Sequence, residues 1–366
     1  MMLLSTVIVD AISRRRRDEL QMAIFRRKTK VPDDPRPAIA QFWAWWSEHR
    51  DDVLAAFEEK RSDDLIELLR PPVAAIDPSL NWEVSPSSAK RFMLVVSSGG
   101  KAELRGLAER WVLAAPDDPD VEFAPVRRAD PALFDSVVMK IDDYDVELRE
   151  LVAGTRVDQQ RGRLDVVIHH PLFPLLDKEH RISVAFHGLD AALGEDEAER
   201  WIGEVEVSAD PPLDAIPVSM LGTVVDQLHP SGDVWALLRG NGRKGPIVAM
   251  VRRPLDRVER PLADTHVALL LDYPAGPDGM PGDESLLDDA DRIVAQVVGE
   301  LGGEGPQVVH VGRVTGEGRV VVHLYVDGLE IDTAPVGKVL AQWTHGTAAV
   351  QSRPDPGWKA VAPLLR

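Results

Sequence analysis

The chain has 366 residues, which is enough for two or three domains with hydrophobic cores of their own. It contains no cysteine, and this excludes a disulfide framework, thiol catalysis and any cysteine-ligated zinc or iron–sulfur cluster. Its formal net charge of −18 argues against nucleic acid and anionic membrane as partners, because an acidic body repels both.

The composition of residues 1–34 predicts a disordered or poorly packed basic tail. The apolar run from Met1 to Val9 is too short to span a bilayer, and Arg14 to Arg17 follow it, whereas a secretory signal carries its positive charges in front. A second start-like run begins at Met22, so we expect natural translation to begin there; a weak membrane-surface anchor is the alternative. The sequence predicts no membrane span and a cytoplasmic location.

Residues 35–230 predict an N-terminal α+β domain. Phe42, Trp46, Val53 and Phe57 recur at helical spacing and indicate an amphipathic helix. Further helices are predicted over 63–69 (ended by Pro71 and Pro72), 101–115, 196–202 and 216–228, and strands over 91–97, 121–126, 164–169, 182–186 and 205–208.

Residues 231–261 predict a hairpin, with strands over 234–239 and 247–252, and a linker-like stretch from Pro254 to Pro261. In residues 262–366 the predicted elements are a strand over 267–272, a helix with an inward stripe from Leu286 to Leu301, a hairpin over 308–325, a helix over 336–343 and a strand over 347–351. This order is that of a ferredoxin-like (βαββαβ) sandwich, so the predicted fold class is α+β. That fold hosts many unrelated functions.

The hairpin over 308–325 carries the candidate metal site. If Gly316 and Glu317 form its two-residue turn, Val309 pairs with Leu324 on the core face, and His310 pairs with His323 on the half-exposed face. Two histidines paired in this way have β-carbons roughly 5 Å apart and can share a divalent metal. The alternative is that both are ordinary half-exposed strand residues.

The C-terminal part resembles a bacterial family known only as domain of unknown function 695. The resemblance covers roughly residues 263–364 and is carried by Gly279-Met280-Pro281, Gly312-Arg313-x-Thr315-x-x-Gly318, Tyr325 and Asp355-x-x-Trp358. The preceding region is similar to the uncharacterised N-terminal part that often accompanies that domain, through Phe42-x-x-Trp45, Ala114-Ala115-Pro116 and Leu193-Gly194-Glu195-Asp196. The resemblance implies a fold and no catalytic residues.

Four short motifs have a structural explanation that we favour over a chemical one. The string Gly240-x-Gly242-x-x-Gly245 matches a dinucleotide fingerprint, but a strand follows it where a helix is required, so we expect a flexible hairpin loop. Ser97 to Gly100 lacks the ending of a P-loop and predicts an ordinary turn, so no phosphate site is predicted. The acidic run from Glu195 to Glu199 suits the first turn of a helix, and His169-His170 ends a strand. We predict no cofactor, and the catalytic residues, if any, stay unknown.

Trp45 is the candidate residue for binding a partner. It lies roughly 100° away from the core-facing stripe of its helix, next to polar Gln41 and Glu48. It is either buried against a neighbouring loop or exposed as an anchor for a protein partner, because tryptophan is enriched among interface hot spots.

The sequence therefore favours a non-enzymatic cytosolic protein that binds or regulates another macromolecule. The alternatives are an enzyme with a dispersed carboxylate or histidine site and a small-molecule or metal-binding sensor. A protein partner is expected and nucleic acid is not, while the oligomeric state stays open.

The basic tail leads to a first prediction. A chain that starts at Ala38 should keep the melting temperature of the full chain within about two degrees, because residues 1–34 lack a periodic apolar face. Thermal unfolding of both chains measures this. A large drop would mean that the tail docks onto the folded part.

Overall fold

The computed structural model describes residues 34–365, apart from residues 88, 160–161, 229–233, 244 and 284. The prediction of a disordered tail therefore falls almost entirely outside the described residues. The chain divides into two compact units, residues 1–229 and residues 230–366. The predicted α+β class is confirmed, with 38% helix and 30% strand. In the described part of the chain, no helix is long and apolar enough to cross a membrane.

The first unit contains two hydrophobic cores. The elements around the first core are α1 (Arg36–Glu58), α2 (Ser62–Ile76), β1 (Asn81–Pro86), β2 (Phe92–Ser97), α3 (Ala102–Leu113) and β3 (Val121–Ala124). The strands form a sheet in the order β1-β2-β3. The predicted stripe of α1 is buried in this core, where the Trp43 indole donates to the carbonyl of Trp111 at 3.0 Å and stacks on its ring.

Helix α2 does not end before Pro71 and Pro72, so that sequence prediction was wrong. Both prolines lie inside the helix. Leu69, Val73 and Ile76 continue its buried stripe at helical spacing. Burial of these apolar side chains offsets the backbone hydrogen bonds that the two prolines remove.

The second core of this unit lies between a four-stranded sheet and a long helix. The elements are α4 (Leu133–Ser136), β4 (Val138–Ile141), β5 (Tyr144–Glu147), β6 (Val152–Asp158), β7 (Arg163–His169), α5 (Lys178–Trp201), β8 (Ile202–Val207), β9 (Ile216–Pro217) and α6 (Leu221–Asp226), with single 3₁₀ turns at Leu148–Glu150, Phe173–Leu175 and Val218–Met220. The sheet order is β8-β7-β6-β9, and β4 and β5 form a separate ribbon.

The strand predicted over 182–186 is wrong, because these residues lie within α5. Ile182, Val184 and Phe186 alternate with other residues as in a strand, but only Val184 is buried. Ala185 and Leu189 bury the adjacent positions at helical spacing. An alternation of five residues was too short to outweigh the helical pattern that surrounds it.

The second unit is built on one six-stranded antiparallel sheet, in the order β10-β11-β13-β14-β12-β15. Its elements are β10 (Val234–Asn241), β11 (Pro246–Arg253), β12 (Thr265–Asp272), α7 (Ser285–Glu300), β13 (Val308–Gly316), β14 (Arg319–Val326), α8 (Val336–Leu340), β15 (Ala348–Pro354) and α9 (Ala362–Leu365), with a 3₁₀ turn at Arg257–Glu259. The hairpin of residues 231–261 joins this sheet, because β11 pairs with β13.

Helices α7 and α8 pack on one face of the sheet. The stripe predicted for α7 is buried there against β12 and β14, and its members are Leu286, Ala290, Ile293, Val297 and Leu301. A smaller core on the opposite face joins β11, β13 and the C-terminal segment. The two edge strands of the sheet are β10 and β15.

The predicted turn of the β13–β14 hairpin was wrong by one residue. Glu317 and Gly318 form the turn, with φ of 55° and 81°, and Gly316 pairs with Arg319. A type I′ turn needs positive φ at both central positions, and this pair of residues supplies it. A register shift between His310 and Gly312 then moves the remaining pairs back by one residue, so His310 lies opposite Leu324 and not opposite the predicted His323.

The Asp355-x-x-Trp358 motif fixes the C-terminal segment onto the sheet. The Tyr325 hydroxyl donates to Asp355 Oδ2 at 2.6 Å, and the same carboxylate accepts the backbone N–H groups of Lys359 and Ala360. The Trp358 ring stacks on Tyr325 with centroids 4.4 Å apart, and its indole donates to the carbonyl of Ala263 at 2.8 Å. Burial and the Asp355 carboxylate raise the pKa of Tyr325, so its hydroxyl stays a donor.

This contact predicts the effect of removing one hydroxyl. Tyr325→Phe should lower the free energy of unfolding by about 2 kcal/mol, because a buried carboxylate loses a donor. Tyr273→Phe is the matched control, since its hydroxyl donates to the neutral carbonyl of Gly279 at 3.0 Å, and it should cost about 1 kcal/mol. Urea unfolding measures both. Equal losses would show that the Asp355 carboxylate adds nothing beyond an ordinary acceptor.

Candidate functional site

The predicted pair of His310 and His323 does not form. His310 lies opposite Leu324 on the face of the sheet that carries α7, whereas His323 lies opposite Gly312. Leu324 is buried beneath the helices, and His323 points to the other face with Tyr325. The geometry that suggested a shared metal is therefore absent from this hairpin.

His323 instead meets His266 of β12. His266 Nε2 and His323 Nδ1 are 3.0 Å apart, and the two rings stack with centroids at 5.2 Å. Burial and then the neighbouring His266 and His310 lower the pKa of His323 to about 4, while burial and Arg353 lower that of His266. Arg353 lies opposite His266 on β15, and its positive charge opposes a cation at this place.

Over the described ranges, no group of three or more histidine, cysteine, aspartate or glutamate side chains is arranged to hold a metal ion. His266 and His323 form a hydrogen-bonded pair on the sheet face, and their lowered pKa values keep both rings neutral at neutral pH. His170 of the first unit is similar: it is fully buried, accepts the N–H of Leu172 on Nδ1 at 3.1 Å and lies 3.1 Å from the carbonyl of Glu147 through Nε2.

The Ser97–Gly100 turn does meet an anion, but the anion belongs to the chain. Gly100 N–H donates to Glu195 Oε1 at 2.9 Å, and the Ser98 hydroxyl lies 3.3 Å from the same atom. The Glu195 carboxylate thus occupies the amino end of α3, which is where a helix favours negative charge. The acidic run predicted to cap a helix therefore ties α5 to α3.

Two arginines complete this junction between the cores of the first unit. Arg127 pairs with Glu83 at 2.8 Å and with Asp190 at 2.5 Å, and Arg105 pairs with Asp196 at 2.9 Å. Burial raises the pKa of Asp196. Each of these charges has a partner of opposite sign within the unit, so the junction is explained by packing.

The loop Gly240-x-Gly242-x-x-Gly245 connects β10 to β11 and is held by its neighbours. A β-carbon at Gly245 would lie 2.2 Å from the carbonyl oxygen of Asp278, and the N–H of Arg243 donates to Glu317. The glycines therefore serve close approach between loops, and a strand follows them. The sequence expectation of a flexible loop did not foresee these contacts.

Trp45 is partly buried against the first core. Its ring stacks on His49 with centroids 5.0 Å apart and lies 5.7 Å from Phe42. The side chain is therefore tied to its own helix and core, which is close to the burial alternative considered for it.

The most exposed apolar surface of the second unit lies on β10. Val234, Trp235 and Leu237 are 61%, 50% and 54% exposed. Trp235 and Leu237 point to the same face as their register partners Arg252 and Met250 on β11. Helices α7 and α8 pack over β12 and β14 and leave this part of the sheet open. We call the hairpin of residues 234–253 the edge hairpin.

The edge hairpin is also a basic segment in an acidic chain. It reads V-W-A-L-L-R-G-N-G-R-K-G-P-I-V-A-M-V-R-R and has no aspartate or glutamate, in a chain of net charge −18. Arg252 pairs with Glu304 at 3.0 Å, and Arg253 donates to the carbonyl of Leu364. His310 lies beneath Trp235, and the centroids of the two rings are 5.2 Å apart. Burial lowers the pKa of His310.

Sequence reasoning identified this hairpin as a structural element and missed its surface. The available signal was the combination of a run of apolar residues on a strand with the complete lack of acidic residues. Comparison of the chain with protein-family models, with curated proteins and with solved structures finds no match.

The histidine pair predicts a dependence of stability on pH. The unfolded pKa of histidine is about 6.5, and the folded pKa of His323 is about 4, so the unfolded state binds the proton more readily. Stability should be complete above about pH 6.5 and fall as the pH drops towards 4, by on the order of 2 kcal/mol after allowance for partial exposure. Urea midpoints of the native protein and of His323→Gln across this range measure the effect. The same slope in both proteins would contradict it.

Proposed function

We propose that the protein is a non-enzymatic binding or regulatory protein that holds an extended segment of another protein along β10. The observation that carries this proposal is the free edge of that strand. In the described part of the chain, β10 pairs with β11 on one side and with nothing on the other. Its outward N–H and C=O groups are therefore available to pair with an added strand.

Strand β10 lacks the features that usually protect an edge. Edge strands are commonly kept apart from other strands by charged residues, by proline or by shortness. β10 has eight residues, of which Arg239 alone is charged, and no proline. The opposite edge, β15, carries Arg353 and ends at Pro354. The exposed edge of β10 therefore has a composition that suits binding.

Exposed side chains on β10 would supply the specificity. In strand addition, backbone hydrogen bonds supply much of the affinity, and contacts at alternate side chains select the sequence. Trp235 and Leu237 lie two residues apart and so project on one side of the strand. A half-exposed tryptophan is the type of side chain that most often dominates an interface.

Two finer assignments belong to the same proposal. We place the second unit in the ferredoxin-like class, supported by its strand order β15-β12-β14-β13 and by α7 and α8 on one face, with the edge hairpin as an addition. We also propose membership of the uncharacterised bacterial family, supported by the structural roles of Gly318, Tyr325, Asp355 and Trp358, and a site of action in the cytoplasm.

A selection experiment tests the proposal. Extended peptides are selected from a displayed library on the immobilised full chain, and the winners are synthesised. Their binding should slow amide hydrogen exchange in β10 and should fall at least about tenfold in Leu237→Lys, because a charge replaces an apolar contact. Stability should change by less than about 1 kcal/mol, since Leu237 is more than half exposed.

Leu113→Lys is the matched control for this change. Leu113 is 65% exposed at the end of α3 in the first unit, so the substitution alters the surface equally and leaves β10 intact. Peptide affinity should be unchanged in that variant. Selected peptides that leave the exchange of β10 amides unaltered, or that bind Leu237→Lys normally, would overturn the proposal.

A further inference from the structure

We infer that the segment bound along β10 is acidic, with apolar residues beside Trp235 and Leu237 and a carboxylate beside Arg239. This inference rests on the proposed function and names the chemistry of the partner. It is carried by the charges of the edge hairpin, by the lack of an ion pair between Arg239 or Arg243 and any described residue, and by the position of Arg239 along the free edge.

The charge of the edge hairpin is opposite to that of the chain. Its basic residues are Arg239, Arg243, Lys244, Arg252 and Arg253, and it contains no acidic residue. A surface patch of one sign attracts ligands of the other sign and accelerates their encounter. The chain as a whole has a net charge of −18, so the hairpin reverses the average charge of the chain, as the basic tail of residues 1–34 also does.

The outermost of these charges are not neutralised within the described part of the chain. Arg239 and Arg243 are exposed, and neither guanidinium group forms an ion pair with a described residue. Arg252, in contrast, is held by Glu304. The unpaired charges thus lie at the end of β10 that adjoins the loop, while the paired one lies opposite Trp235.

The order of side chains along the edge defines the partner's pattern. Trp235, Leu237 and Arg239 lie on one side of β10 at intervals of about 7 Å. An added strand places its own alternate residues beside them. If the added strand is antiparallel like the others of this sheet, the complementary segment has aspartate or glutamate near Arg239, followed at the same spacing by two alternate apolar residues beside Leu237 and Trp235.

A second copy of the chain is a poorer occupant of this edge. Two copies that paired through β10 would bring together two hairpins that each carry basic residues and no acidic ones. Like charges in adjoining strands are destabilising. Nucleic acid would neutralise the charges, but it would not provide an apolar side chain beside Leu237.

The test uses the full-length protein and three synthetic peptides of one pattern. They are Glu-Thr-Glu-Thr-Val-Thr-Val-Thr, which suits an antiparallel added strand, and the same peptide with glutamine or with lysine in place of glutamate. The acidic peptide should bind best, the neutral one about fivefold more weakly, and the basic one not measurably. Added salt should lower the affinity for the acidic peptide and leave the affinity for the neutral peptide almost unchanged.

Charge reversal locates the effect on the protein. Arg239→Glu should reduce affinity for the acidic peptide about tenfold and should not reduce affinity for the neutral peptide. Arg353→Glu is the matched control, because Arg353 is an exposed arginine on β15, the other edge strand of the same sheet. It should leave the affinity for both peptides unchanged.

The outcomes separate this inference from the proposed function. Equal affinity of β10 for the acidic and neutral peptides would overturn the inference that the partner is acidic. The proposal that β10 binds an extended segment would stand. Failure of all three to protect β10 amides, together with failure of the library selection, would overturn the proposed function as well. If the protein is a dimer that Leu237→Lys converts to a monomer, the occupant of the β10 edge is a second copy of the chain. Binding of an oligo-dT strand that Arg239→Glu abolishes, without peptide binding, would assign it to nucleic acid.

Discussion

The shape of the second unit depends on how closely β11 approaches β13. A β-carbon at Gly312 would lie 2.3 Å from the carbonyl oxygen of Met250, and one at Gly316 would lie 2.9 Å from that of Pro246. Both glycines have φ near 155°, which side chains rarely adopt. Without glycine at these two places, β11 could not pair with β13 at this distance, and the edge hairpin would not belong to the sheet.

The width of the sheet explains why β10 is exposed. Two helices cover β12 and β14, but the sheet continues through β13 and β11 to β10. On the opposite face, Ala249 and Val251 of β11 are buried beneath the C-terminal segment that Asp355 holds in place. The packed elements thus end at β11. Strand β10 gains its backbone pairing from β11, and Leu238 on its other face packs partly against the smaller core, whereas Trp235 and Leu237 remain half exposed and are available for binding.

The sequence predicted the elements that have a strong local pattern. It did not predict the features that depend on backbone contacts between segments far apart in the chain. The stripes of α1 and α7 were predicted because burial imposes helical spacing over several turns. The register of the β13–β14 hairpin was not predicted correctly. Glycine flanks Glu317 on both sides, so either Gly316-Glu317 or Glu317-Gly318 fits a two-residue turn. In the structure the loop at Gly279 lies against this turn, where its β-carbon would lie 3.1 Å from the Glu317 nitrogen and where its carbonyl accepts the N–H of Gly318 at 3.0 Å, and these contacts are not visible in the local sequence. The shift at Gly312 likewise arises from pairing with β11, which lies far away in sequence.

The net charge of the whole chain does not reveal the basic edge hairpin, because the many acidic residues elsewhere outweigh its arginines. A net charge of −18 predicts repulsion of acidic ligands only for ligands large enough to sense the whole surface, because salt screens exposed charges beyond about 8 Å. A short acidic segment on β10 would lie beside Arg239 at the free edge, whereas Glu304 contacts the hairpin at Arg252 on β11 and Glu317 contacts it at the loop. A long polyanion such as duplex nucleic acid extends past the hairpin and meets the acidic remainder of the chain. The same distribution of charge therefore admits a small acidic segment and disfavours a large one, and this is a form of selectivity that neither the net charge nor the hairpin provides alone.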